Sequence, residues 1–198
     1  MSCALSPDGR YIVSGSTDNS IRVWEFSTGD CLNVIKKHTK WVKVVKFSPD
    51  GRYIASASLD RRVMIWDLKF LLNTKSPTPY RSFDDHQDYV LDVAMHRNLL
   101  LTTCRDSKIR IFDYINGVIL HVHSLSPSWA CTVSFSENGE YFATGSFDNN
   151  LLIFKTSDFS IIRQIRVFNF GIMTVKFPKD LSFVIVGSTE GFLQQIPL

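Results

Sequence analysis

His38, Ser56 and Asp60 are an imidazole, a hydroxyl and a carboxylate, the types from which a base, a nucleophile and an orienting acid can be assembled. His121 and His123, two residues apart, would share one face of a strand and offer two nitrogens to a metal. Two ligands are too few for a site, and a solvent-exposed pair on an outer strand accounts for them better. Cys3, Cys31, Cys104 and Cys131 have neither CxxC pairing nor regular spacing, which argues against a zinc site and against a disulfide framework. Reduced, mostly buried thiols are expected.

The elements that must position these groups are short strands. In His38 to Asp67 the runs VKVVKF and RYIASAS alternate, Pro49-Asp50-Gly51 supplies a tight turn between them, and VMIWD follows the polar turn Leu59-Asp60-Arg61-Arg62. Weaker copies lie on both sides. Asp18, Asp60, Asp106, Asp148 and Glu190 recur at intervals of 42, 46, 42 and 42 residues, and six places after each stands Trp24, Trp66, Phe112, Phe154 or Ile196. A period of this size with a Trp-Asp dipeptide points to the blades of a β-propeller.

These copies resemble WD repeats, and the one containing His38 and Trp66-Asp67 matches that family's pattern most fully. The resemblance covers nearly the whole chain. It implies an all-β propeller and, in each full repeat, a buried hydrogen-bonded set of His, Ser or Thr, Asp and Trp, which maps onto His38, Ser56, Asp60 and Trp66. Copy one has Ser14, Asp18 and Trp24. Copy three has His86, Thr102 and Asp106 with Phe112 in the Trp place, and copy four keeps Thr144 and Asp148. Copy five, with Val186, Glu190 and Ile196, belongs by spacing and apolar pattern. On this reading the His38, Ser56 and Asp60 set is structural and its hydroxyl faces no substrate. No enzyme, cofactor or metal is expected.

Composition agrees with one all-β domain: 15 Phe and 44% hydrophobic residues suit a large core, with no clean helical period to compete. The net charge of +3 is too small and too dispersed to imply a nucleic-acid or membrane surface. The first 20 residues lack the order of a secretory signal, and the uncharged run Tyr114 to Ser136, interrupted by Asn116, His121, His123 and Pro127, is no membrane span. An intracellular protein, cytoplasmic or nuclear, is expected.

Five blades are expected over residues 1–37, 38–85, 86–123, 124–167 and 168–198, the last without an outer strand. Nineteen strands counted this way, the first clipped at Met1, leave no donor for closure by strand exchange. The expectation is therefore an open arc or a piece of a larger, seven-bladed propeller; a tight five-bladed ring closed by face packing is the alternative. Blade two carries about six extra residues in Lys69 to Tyr80, where two prolines preclude a regular strand. The insertion reads as a tolerated surface loop or as a docking or phosphorylation segment at Ser76-Pro77 and Thr78-Pro79.

By the family's geometry, the residue before each aligned Asp and the residue starting each inner strand lie on the face used by partners. Here Trp41, Leu59, Tyr89, Arg105, Trp129 and Phe147 form the expected partner-binding rim, rich in the types that dominate interfaces. The alternative for the three strand-start aromatics is packing between blades. The expected function is a non-enzymatic scaffold binding a protein or peptide within a multiprotein complex, with no small-molecule substrate. The alternatives are a phosphate or nucleic-acid reader using Lys40, Lys43, Arg61, Arg62, Arg105 and Lys108, and a substrate receptor of a ubiquitin ligase. For the last, Trp66-Asp67-Leu68-Lys69 approaches the required tetrapeptide but has Lys in place of Arg.

Overall fold

The computed structural model describes residues 1–125, 128–179 and 182–198, and among them lie nineteen strands and one short helix. The strands form five antiparallel sheets in chain order. The first contains β1 (Ser2–Leu5), β2 (Tyr11–Gly15), β3 (Ile21–Glu25) and β4 (Cys31–Ile35). The second contains β5 (Val42–Phe47), β6 (Tyr53–Ser58), β7 (Val63–Asp67) and β8 (Arg81–Phe83). The third contains β9 (Val90–His96), β10 (Leu99–Cys104), β11 (Lys108–Asp113) and β12 (Val118–Ser124). The fourth contains β13 (Ala130–Phe135), β14 (Tyr141–Ser146), β15 (Asn150–Lys155) and β16 (Ile161–Arg166), and the fifth β17 (Ile172–Lys176), β18 (Phe183–Ser188) and β19 (Leu193–Pro197). The inner strands β1, β5, β9, β13 and β17 neighbour one another in that order, giving an incomplete propeller.

The first hairpin turn is built the same way in three sheets. Tyr53 N–H donates to Ser48 Oγ at 2.9 Å, Ser48 Oγ–H bonds Asp50, and Gly51 takes φ +72°, which glycine adopts without strain. Ser6 with Asp8, and Ser136 with Asn138, repeat the arrangement.

The three middle sheets are apolar on both faces, because a neighbouring blade covers each, whereas the first and fifth sheets have one neighbour apiece. Val13, Ile21 and Val23 pack with Val42, Val45 and Trp66 between the first two sheets, whereas Ala55, Val63 and Ile65 of the second sheet face Val90, Leu100 and Phe112 of the third. Leu101 and Ile111 then meet Val133 and Phe154, and Ala143 and Ile153 meet Val175 and Val186. Trp66 is fully buried, but Trp24 lies on the side of the first sheet turned away from the second and is half-buried.

Close approach between blades depends on small residues near the end of the second strand. A Cβ on Gly145 would stand 2.2 Å from Ile172 Cγ2, and one on Gly15 would stand 2.8 Å from Val42 Cγ1. The corresponding residue of the third sheet is Thr103, and the strand start facing it shrinks to Ala130. Gly145→Ala should therefore destabilise by about 1–3 kcal/mol through overpacking against a stiff, β-branched neighbour. A thermal melt within a degree of the parent would count against this packing.

The insertion after β7 differs from its expected irregular form: Leu68–Asn73 is a helix, α1, with the Asp67 carboxylate accepting from Phe70 N–H at 3.0 Å. Six residues are too few to display a helical period, so the cap and the buried Leu71 carry the information instead. Asn33 of β4 donates its side-chain amide to the carbonyls of Leu71 (2.6 Å) and Thr74 (2.9 Å), tying the insertion to the first sheet. Pro77 is buried as well.

Candidate functional site

The buried polar set is joined in full in the second sheet. His38 Nδ1 lies 2.8 Å from Asp60 Oδ2 and His38 Nε2 lies 2.8 Å from Ser56 Oγ, which also accepts from Trp66 Nε1–H at 2.9 Å. Asp60 further accepts from Thr39 N–H and Arg62 N–H at 3.0 Å. Burial pushes the Asp60 carboxyl up, but its bond to His38, the His38 charge and these amides outweigh it and hold it below the usual carboxylate range. Ser56 is wholly buried, so its hydroxyl cannot reach a substrate. The set ties the turn before β7 to the segment before β5.

The other blades solve the same problem with different residues. In the third sheet His86 Nε2 bonds Thr102 Oγ1 at 2.9 Å, but Asp106 turns to Arg110, whose guanidinium meets both carboxylate oxygens at 3.1 and 2.7 Å. Arg110 is 3% exposed, which makes this a buried pair. His86 Nδ1 lies toward the Phe83 main chain without a hydrogen bond of ordinary geometry. In the first sheet Trp24 Nε1–H donates to Ser14 Oγ, and Asp18 pairs with Arg22 at 3.0 Å on the surface. In the fourth, Thr144 Oγ1 is buried with no hydrogen-bond partner among the described residues.

At the N-terminal ends of the inner strands the turn tips are pinned beside the strand starts. Leu59 N–H donates to the Trp41 carbonyl at 3.0 Å, Arg105 N–H to Tyr89 at 2.9 Å, and Phe147 N–H to Trp129 at 2.9 Å. This backbone bond repeats from sheet to sheet, so six side chains fall along one edge. Lys40 Nζ lies 5.5 Å from the centre of the Tyr89 ring, and the Arg105 guanidinium lies 5.9 Å from Tyr89 and 4.2 Å from Trp129. Trp129 and Phe147 are 5.7 Å apart, and Phe147 rests on Gly171, where a Cβ would meet its Cδ2 at 2.9 Å. Trp41, Leu59 and Tyr89 share the wall of a hollow of about 520 Å³. Trp41 and Phe147 are 49% and 51% exposed, while Tyr89 and Trp129 are half-buried. Both cations lie over aromatic faces, a contact that desolvation strengthens.

Several expectations need correction. His121 and His123 are half-buried rather than solvent-exposed, 5.5 Å from the Phe159 ring and 5.2 Å from the Phe154 ring. Cys3 and Cys31 are exposed, because β1 and β4 turn those positions to solvent, and only Cys104 is fully buried. Burial raises the Cys104 thiol to about 11. Two groups escaped sequence reasoning. One is Arg110, signalled only by its place four residues after Asp106. The other is Asp92, whose carboxylate accepts from Thr132 Oγ1 at 2.9 Å and Val133 N–H at 3.0 Å and so joins β9 to β13.

Residues 1–25, 29–67, 77–113 and 118–155 match the family described as WD domain, G-beta repeat. Similar proteins include the nuclear distribution protein nudF of Aspergillus niger, 28% identical over 157 residues, which cover 78% of this chain and 35% of that protein. Protein HIR1 of Mycosarcoma maydis is 28% identical over 189 residues, 83% of this chain and 19% of its own length. The U3 small nucleolar RNA-associated protein 15 homolog of Gallus gallus is 25% identical over 232 residues, 94% and 43% respectively. The chain thus spans less than half the length of these relatives.

Proposed function

The chain belongs to the WD-repeat family, and on that premise we propose that it is a non-enzymatic scaffold that binds a protein or peptide partner along the edge carrying Trp41, Leu59, Tyr89, Arg105, Trp129 and Phe147. The observation that carries this reading is the continuous run of cation and aromatic contacts from Lys40 through Tyr89, Arg105 and Trp129 to Phe147. Such a strip holds large side chains in place before binding, so little rotamer freedom is lost when a partner arrives. Partially exposed Trp, Tyr and Arg are also the types on which interface energy concentrates. Relatives named for nuclear distribution and for U3 small nucleolar RNA association support a place in a multiprotein assembly, cytoplasmic or nuclear.

A phosphate or nucleic-acid reading of the same edge is less well supported. Lys40 and Arg105 lie against rings, Arg62 pairs with Asp84 at 3.5 Å, and Arg61 leans on the Gln87 carbonyl. The ubiquitin-ligase reading is weakened by α1, which begins right after Asp67 and carries Lys69 where a bidentate Arg would be required.

The test is affinity purification with the parent chain and with Leu59→Asp combined with Phe147→Asp, read by quantitative mass spectrometry. Partners retained by the parent should be lost from the double variant, whose melt should stay near the parent's because both side chains are partly exposed. Undiminished capture would move the interface elsewhere. Binding that collapses between low and moderate salt would favour the nucleic-acid reading instead.

A further inference from the structure

The registers of the five sheets place Ala4, Lys46, Ala94, Ser134 and Lys176 at one level of the inner strands, opposite Val13, Ala55, Leu101, Ala143 and Ile185. Two lysines therefore share a layer with three small residues. Lys46, Ala94, Ser134 and Lys176 line a single cavity of about 350 Å³, within the range of small-ligand pockets. Its wall also includes Pro49 and Glu137, from turns that follow inner strands, so it lies toward the opposite end of those strands from Trp41 and Trp129.

Among the described residues neither ammonium makes an ion pair or a hydrogen bond. Of the acids nearby, Asp92 already accepts from Val93 N–H, Thr132 Oγ1 and Val133 N–H, and Glu137 is exposed at the wall. Crowding by surrounding protein and then the Lys46 charge hold Lys176 below the usual lysine range, with Asp92 opposing, while Lys176 as a whole is exposed to solvent. The Asp92 carboxylate, which acts on both lysines, offsets part of the repulsion between these two cations, and an anion in the shared space would offset the rest. A monovalent anion neutralises one. A phosphoryl group brings close to two charges and several acceptor oxygens in a volume this cavity holds.

We propose that this cavity is an anion site in which the ammonium groups of Lys46 and Lys176 bind a compact polyanion of the phosphate class, beside the Ser134 hydroxyl, which donates to the Phe135 carbonyl at 3.3 Å. The site is distinct from the aromatic edge and uses none of its residues.

Isothermal titration calorimetry of the full chain with inorganic pyrophosphate, at ionic strength held constant with chloride, tests it. Saturable binding is expected in the parent, weakened about tenfold by Lys46→Gln or by Lys176→Gln, since each removes a charge-assisted hydrogen bond. Lys176→Arg, which keeps the charge, and Lys36→Gln, outside the cavity, should bind as the parent does. A second readout separates binding from folding: without anion the two glutamine variants should melt at or above the parent, and pyrophosphate should raise the melting temperature of the parent alone. No saturable heat at millimolar pyrophosphate, or equal affinity in parent and glutamine variants, would overturn the proposal. Glutamine variants that melt well below the parent would also overturn it, because the lysines would then be structural.

Discussion

Trp66→Ala is expected to destabilise the fold by about 3–5 kcal/mol, the range for a wholly buried large aromatic reduced to alanine. Trp66 has no exposed surface and packs with Val13 and Val23 of one blade, Val45 and Ile54 of its own, and Leu71 of α1. Its removal opens a cavity that β-strands held by ladders on both sides cannot close. Two companion variants divide the effect. Trp66→Phe keeps most of the packing and loses the bond to Ser56, which retains His38, so about 1 kcal/mol should be lost. Trp24→Ala should cost clearly less than Trp66→Ala because Trp24 is already half-exposed. Chemical denaturation followed by far-ultraviolet dichroism measures all three. A Trp66→Ala free energy of unfolding within about 1 kcal/mol of the parent's would contradict the packing of this side chain between the first two blades.

What made the repeats readable is that each blade must meet the same demands. The Asp before the third strand accepts backbone amides of its own turn in four blades, through Ser20, Arg62, Lys108 and Asn150, so spacing and residue type persist even where other members of the polar set vary. The apolar residue six places later varies from Trp to Ile because its packing tolerates a range of sizes, and only the two Trp add a bond to the neighbouring strand's Ser. The partners of that Asp are harder to read, since several chemistries satisfy a buried carboxylate. His38 does so in one blade and the Arg110 guanidinium in another, and no local pattern in the strand announces the exchange. The helix after Asp67 was hidden for a related reason: it is one turn and a half long and depends on a cap and on Asn33, 38 residues before the carbonyl of Leu71 that it bonds. The placing of Lys46 beside Lys176 needs the curvature of the whole arc. Strand periodicity reveals which residues face the axis only after the bulge in β5 is known.

Arg110 and His86 make stability depend on pH in a way this geometry fixes. Burial, and then the neighbouring Arg110 charge, lower His86 to about 4, against an ordinary value of 6.5, with Asp106 opposing. The unfolded chain therefore takes up a proton near pH 6.5 that the folded chain refuses until about pH 4. Stability is fully present above 6.5 and falls as the pH drops through that window, by roughly 3 kcal/mol if the whole shift is realised. His96 and His123, also lowered by burial, add smaller contributions of the same sign. Asp60 and Asp106 act at lower pH: their carboxyls are held below the ordinary aspartate value of 3.8, so their contribution is lost only as pH falls beneath it. His86→Gln keeps an amide able to bond Thr102 but does not titrate. Its free energy of unfolding should change less between pH 6.5 and 4 than the parent's, so the difference between the two should shift in the variant's favour toward the acidic end. Parallel curves would mean that His86 is protonated in the folded protein, with its Nδ1 reaching an acceptor that the present packing does not offer.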